Sequence, residues 1–79
     1  MKLPRDIDAL QLIKSLTKFG YEPTRQSGSH IRLTTQQNGQ HHITIPNHDP
    51  LKIGTLNAIL TEVAQHLSVS KQELIERLF

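Results

Sequence analysis

The chain is 79 residues long, 35% hydrophobic and without cysteine, and its nine Lys and Arg against seven Asp and Glu give a net charge of +2. That length means one domain with a modest core, and the missing cysteines exclude disulfides and thiolate metal ligands. No stretch approaches the ~20 apolar residues of a membrane span, and the start, MKLPRDIDAL, lacks the apolar run of a signal peptide, so a soluble cytoplasmic protein is expected.

A net charge this small does not by itself argue for nucleic acid, but its placement is informative. Between Tyr21 and Pro46 the single acid is Glu22, set against Arg25, His30, Arg32, His41 and His42. The middle third is therefore a candidate anion-facing surface.

In chain order, Asp8-Ala9-Leu10-Gln11 reads as a capping box. Leu12, Ile13, Leu16 and Phe19 follow at helical spacing, and Gly20 stops the chain in the usual C′ position. This predicts a helix over Ala9 to Phe19. Tyr21 to Gln26 reads as a strand, and Pro23 within it suits an edge. Gly28 and Ser29 make a turn. His30 to Thr35 alternates, with Ile31 and Leu33 on one side and His30, Arg32 and Thr34 on the other. His41 to Pro46 does likewise, with Ile43 and Ile45 against His42, Thr44 and Pro46.

The loop TQQNGQ sets the register. A two-residue Asn38-Gly39 turn would place Leu33 opposite Thr44. A three-residue loop, Gln37 to Gly39, places Leu33 opposite Ile43 and Ile31 opposite Ile45, so a type I turn with Gly39 left-handed in a bulge is preferred. From Lys52 a second helix buries Leu56, Ile59, Leu60, Val63 and Leu67 along one stripe. Gly54 near its start suggests close backbone approach. Ser70-Lys71-Gln72-Glu73 reads as another capping box, opening a short last helix from Leu74 to Phe79. The expected class is α+β, ordered α-β-β-β-α, with two helices on one face of a three-stranded antiparallel sheet and a short C-terminal helix. The chain forms one domain, with its core at about 6–67 and an extension at 68–79.

The other face of the sheet is polar and open, holding His30, Arg32, Thr34, His42 and Thr44. It offers imidazole beside fixed positive charge and no carboxylate pair. RNA cleavage is a reaction that works with so little, because the substrate brings its own nucleophile, the 2′-hydroxyl. An imidazole exchanges protons near neutral pH, and guanidinium or ammonium groups stabilise charge on the phosphate. Gly28 would let the backbone approach a phosphate. On spacing alone the first reading of His30 is a solvated, inert strand residue beside a turn, and catalysis comes second. His41 and His42 point to opposite faces, and no partner stands at ligand spacing, so neither a metal nor any other cofactor is expected. His66 reads as a C-terminal dipole partner of its helix.

Arg25-Gln26-Ser27-Gly28-Ser29-His30, then Pro46-Asn47-His48, then Lys52-Ile53-Gly54-Thr55-Leu56 with Ile59-Leu60, resembles the HicA (YcfA-like) toxin family, as does the helix end Lys18-Phe19-Gly20-Tyr21. The resemblance spans roughly residues 6 to 67. It implies a fold similar to the double-stranded RNA-binding domain, and a ribosome-independent mRNA-cleaving toxin neutralised by a HicB-type antitoxin. It implies that His30 is catalytic and that Gly28 and Ser29 form the turn presenting it. Arg25, Arg32 and Lys52 are the expected phosphate contacts, with Lys52, Gly54 and Thr55 matching the segment that opens the family's second helix. Many relatives carry a histidine or basic residue where this chain has Ile31, and the extension after Leu67 exceeds a minimal member. A non-catalytic RNA-binding module of the same fold is the alternative, and a partner-binding scaffold a third reading.

Overall fold

The computed structural model describes residues 6–79. The first five residues of MKLPRDIDAL, taken above to be no leader, lie outside the described residues. Helix α1 (Ala9–Leu16) opens on the expected capping box: Asp8 Oδ1 accepts from the Gln11 amide at 2.7 Å and Gln11 Oε1 from the Asp8 amide at 2.9 Å. The predicted helix to Phe19 tightens instead into a 3-10 turn over Thr17–Phe19, and Gly20, at φ 79°, ends it. Strands β1 (Glu22–Ser27), β2 (His30–Thr35) and β3 (His41–Pro46) then form an antiparallel sheet in the order β1-β2-β3. Helices α2 (Ile53–Leu67) and α3 (Lys71–Leu78) follow.

The isoleucine register holds as patterned, with Ile31 opposite Ile45 and Leu33 opposite Ile43. The turn that produces it differs from expectation. Asn38 (φ 56°) and Gly39 (φ 93°) are both left-handed, so this is not a type I turn closed by a single glycine bulge. Asparagine tolerates that region, and here the loop is clamped from outside. Asn38 Nδ2 donates to the His66 carbonyl at 2.7 Å, while His66 Nε2 donates to the Gln37 and Gly39 carbonyls at 2.9 and 3.0 Å. His66 thus serves the hairpin loop, not merely the dipole of its own helix.

Ile31, Leu33, Ile43 and Ile45 face one cluster that also takes in Leu12, Ile13 and Leu16 of α1 and Leu56, Ile59, Leu60 and Val63 of α2. Leu67, expected in that stripe, is only partly buried. The last helix begins at Lys71, three residues before the predicted start, with Ser70 Oγ accepting from the Glu73 amide at 3.0 Å. Its Leu74, Ile75 and Leu78 are buried within the same cluster. Residues 68–79 therefore complete the core.

Two glycines differ in what they permit. A Cβ on Gly20 would stand 2.9 Å from Thr35 Oγ1, on left-handed backbone, and that hydroxyl already donates to the Phe19 carbonyl at 2.8 Å. A Cβ on Gly54 would meet nothing within 4 Å, so the close approach expected there does not occur within this chain. Gly20→Ala should lower stability by about 1–3 kcal/mol, whereas Gly54→Ala should leave it unchanged or raise it by up to about 1 kcal/mol. Urea-denaturation midpoints of the two variants measure both effects.

Candidate functional site

Residues directly opposite one another in a sheet project to the same face, and the pairings sort the open face into rows. Ser27, His30 and Pro46 form the first; Arg25, Arg32 and Thr44 the second; Glu22, Thr34 and His42 the third. The rows run along β2 from the Gly28-Ser29 turn toward the α2-clamped loop. Glu22, the one acid, stands in the row farthest from His30.

Arg25 reaches this face through an irregularity. Continuing the pairing of Glu22 with Thr34 and Pro23 with Leu33 would have set Arg25 opposite Ile31, on the helix-covered side. A bulge at Thr24 shifts the register, so Arg25 stands opposite Arg32 instead. Proline contributes no ladder N–H, which makes this edge the cheapest place for the extra residue. All six β1 residues are exposed.

His30 opens β2 immediately after the turn, where Gly28 takes φ 58° and Ser29 does not take positive φ, the pattern of a two-residue hairpin with glycine first. The turn is anchored from β3's side, since the Asn47 amide donates to the Ser29 carbonyl at 2.6 Å. The His30 ring is exposed, and among the described residues no hydrogen bond engages it. Arg25 and Arg32 are likewise exposed and take part in neither described ion pair, which are His41–Glu62 and Glu73–Arg77. Gly28, Ser29 and His30 thus lie at one end of the sheet, with Arg25 and Arg32 in the neighbouring row. Lys52 is not on the sheet face. It is the exposed N-cap residue of α2, after the loop that leaves β3 beside His30.

Sequence reasoning left two features without a role. Thr24 Oγ1 contacts Thr34 Oγ1 at 2.9 Å, and Thr34 Oγ1 contacts His42 Nδ1 at 2.7 Å, which orients the His42 ring on the open face. On the opposite face His41 stacks on His66 with ring centroids 4.3 Å apart, and the Tyr21 hydroxyl lies 2.8 Å from His41 Nδ1. The alternation of β3 separates His41 from His42, but nothing local brings in His66, which is 25 residues further on. Among the described residues no group of three His, Cys, Asp or Glu is arranged to hold a metal ion.

Burial, then the neighbouring His66, pushes the His41 pKa below its ordinary 6.5, with Glu62 opposing and His42 adding a little. Burial and Glu62 push Tyr21 up to about 12. A histidine with a depressed pKa binds fewer protons folded than unfolded, so stability is complete above 6.5 and declines as pH falls below it. The melting temperature should therefore be lower at pH 5 than at pH 7.5, and His41→Gln should flatten that dependence; thermal melts of both proteins across this range provide the check.

The fold and this face define a small α+β domain with a cationic, histidine-bearing sheet surface presented beside a tight turn. A family model described as HicA toxin of bacterial toxin-antitoxin matches residues 10–64, more than half of the chain. This chain belongs to the HicA toxin family, and so is the toxin of a toxin–antitoxin pair, with an antitoxin as its partner. No curated protein and no solved structure matches it at a significant level. Among the described residues no helix is long and apolar enough to cross a membrane.

Proposed function

We propose that this chain is a ribosome-independent endoribonuclease that cuts mRNA in the cytoplasm, using His30 as general acid or base and requiring no metal, and that a HicB-type antitoxin neutralises it by covering the site. The observation that supports this most directly is the shared face: His30 begins β2 on the acid-poor side of the sheet, where Arg25 of β1 and Arg32 of β2 stand one row away. Two arginines directly opposite one another repel, and a phosphate seated between them relieves that repulsion while gaining charge-assisted hydrogen bonds. Gly28 and Ser29 keep the turn low beside a bound backbone, and Lys52 adds charge at the same end of the sheet. An exposed imidazole is free to meet a ribose or a phosphate oxygen.

The attacking group is the substrate's 2′-hydroxyl, so the protein has to bind, orient and move protons rather than supply a nucleophile. A purified preparation should cut an mRNA transcript in the presence of EDTA, and 2′-O-methylation at the mapped position should stop cleavage there. Cutting at full rate through the methylated position would overturn the mechanism. Salt-sensitive RNA binding with no turnover would replace it by the binding-module reading.

A further inference from the structure

Cleavage by a 2′-hydroxyl needs two proton transfers. O2′ loses its proton as the O2′–P bond forms; the P–O5′ bond breaks and O5′ takes a proton. The products are a 2′,3′-cyclic phosphate and a 5′-hydroxyl, with no oxidant, reductant or co-reactant. One imidazole in one protonation state can assist one of these transfers, so an efficient site has a place for a second group.

We infer that His48 is that group, a second catalytic histidine that shares the two proton transfers with His30. This rests on the endoribonuclease reading above. Among the described imidazoles, His41 and His66 are stacked on the helix-covered side and His42 is held by Thr34 two rows away. His48 stands at the His30 end. Pro46 is directly opposite His30, and directly opposed residues have Cα atoms about 4.5–5.5 Å apart. Two further residues add at most about 7.6 Å of chain. The path also turns back on itself, because the His48 amide donates to the Pro46 carbonyl at 2.8 Å.

Both backbone polar groups of His48 are hydrogen-bonded while its side chain is exposed. Its carbonyl accepts from the Ala9 amide at the start of α1 at 3.1 Å. The preceding amide, Asn47, is the one bonded to Ser29 at 2.6 Å, so the histidine loop and the Gly28-Ser29 turn are tied directly together. Leu51, buried just beyond, donates to the Ile7 carbonyl at 2.8 Å and closes the loop onto the body of the domain. Among the described residues no hydrogen bond engages the His48 ring. Backbone held this firmly fixes the point from which the His48 side chain projects, beside the Gly28-Ser29 turn, and leaves the ring open to a substrate. Two imidazoles carried by joined loops can flank one phosphodiester, one toward O2′ and the other toward O5′.

The test uses an RNA oligonucleotide with one mapped cleavage position, made unmodified and with sulfur replacing the bridging O5′. Sulfur leaves as a thiolate without needing a proton, so it bypasses the general acid alone. His30→Ala, His48→Ala and His48→Gln are compared with the parent protein after circular dichroism has established that each is folded. Each variant should lose roughly 10²- to 10⁴-fold on the unmodified oligonucleotide. On the sulfur substrate only the variants lacking the acid should return to near the parent rate, while those lacking the base stay slow. Activity of both His48 variants within a few-fold of the parent on unmodified RNA overturns the inference. So does an equal deficit of the His30 and His48 variants on both substrates, which is the signature of a structural role. Absence of cleavage by the parent protein would instead remove the endoribonuclease reading itself.

Discussion

Replacing His30 by alanine should reduce RNA cleavage by about 10²- to 10⁴-fold, the usual contribution of a positioned acid or base, and should abolish growth arrest when the protein is induced in cells. The chain should remain folded, because the ring is exposed and no hydrogen bond among the described residues depends on it. Substitutions of that kind change stability by no more than about 0.5 kcal/mol. RNA binding should persist within a few-fold, since Arg25 and Arg32 remain in the neighbouring row. The combination is diagnostic: turnover lost, melting temperature and gel-shift affinity kept. His42→Ala is the control from the same face, two rows distant, and should cut RNA at close to the parent rate. Undiminished cleavage by the His30 variant would remove it from the reaction.

The second large effect concerns stability and tests whether the last helix is an appendage. Leu74→Ala should destabilise the protein by about 2–5 kcal/mol, the range for emptying a fully buried leucine site. Leu74 is 0% exposed and belongs to the same cluster as Leu12 and Leu60. The helix is also fastened by polar contacts: Lys18 Nζ donates to the Arg77 and Leu78 carbonyls at 3.5 and 3.4 Å, and Lys71 Nζ donates to Asn57 Oδ1. A domain this small has total stability of the same order as the expected loss. The variant should therefore be largely unfolded at 37 °C, visible as a lost cooperative melt. Exposed Gln72→Ala on the same helix should melt like the parent. A Leu74 variant with an unchanged melt would mean that α3 merely rests on the core.

Both predictions depend on where the family pattern stops. The matched segment, residues 10–64, contains His30 and every row of the open face, but ends before α3. The toxin's candidate chemistry thus lies inside the shared pattern, while part of its stability comes from outside it. Truncating the chain after Leu67 would remove Leu74, Ile75 and Leu78 together and expose the cluster they cover.

What the sequence determined by itself was whatever a short-range period encodes. Alternation of Ile31 and Leu33 with His30 and Arg32 decides the faces of β2, because a one-residue slip would put every isoleucine in water. The Asp8–Gln11 box decides where α1 begins, because both partners lie within one turn. The same locality explains why His30 could be placed on the open face while its chemistry could not: periodicity reports burial, and a solvated histidine shares its pattern with a catalytic one.

Only the tertiary structure decided the rest, through contacts between distant segments. Arg25 faces the open side because a bulge at Thr24 shifts its register against β2. Asn38 and Gly39 turn as they do because His66 clamps their loop from the end of α2. The Asn47–Ser29 bond brings the second histidine loop to the turn that presents the first. Each of these positions depends on an energy that exists only once two remote pieces of chain have met, so no window of neighbouring residues contains it.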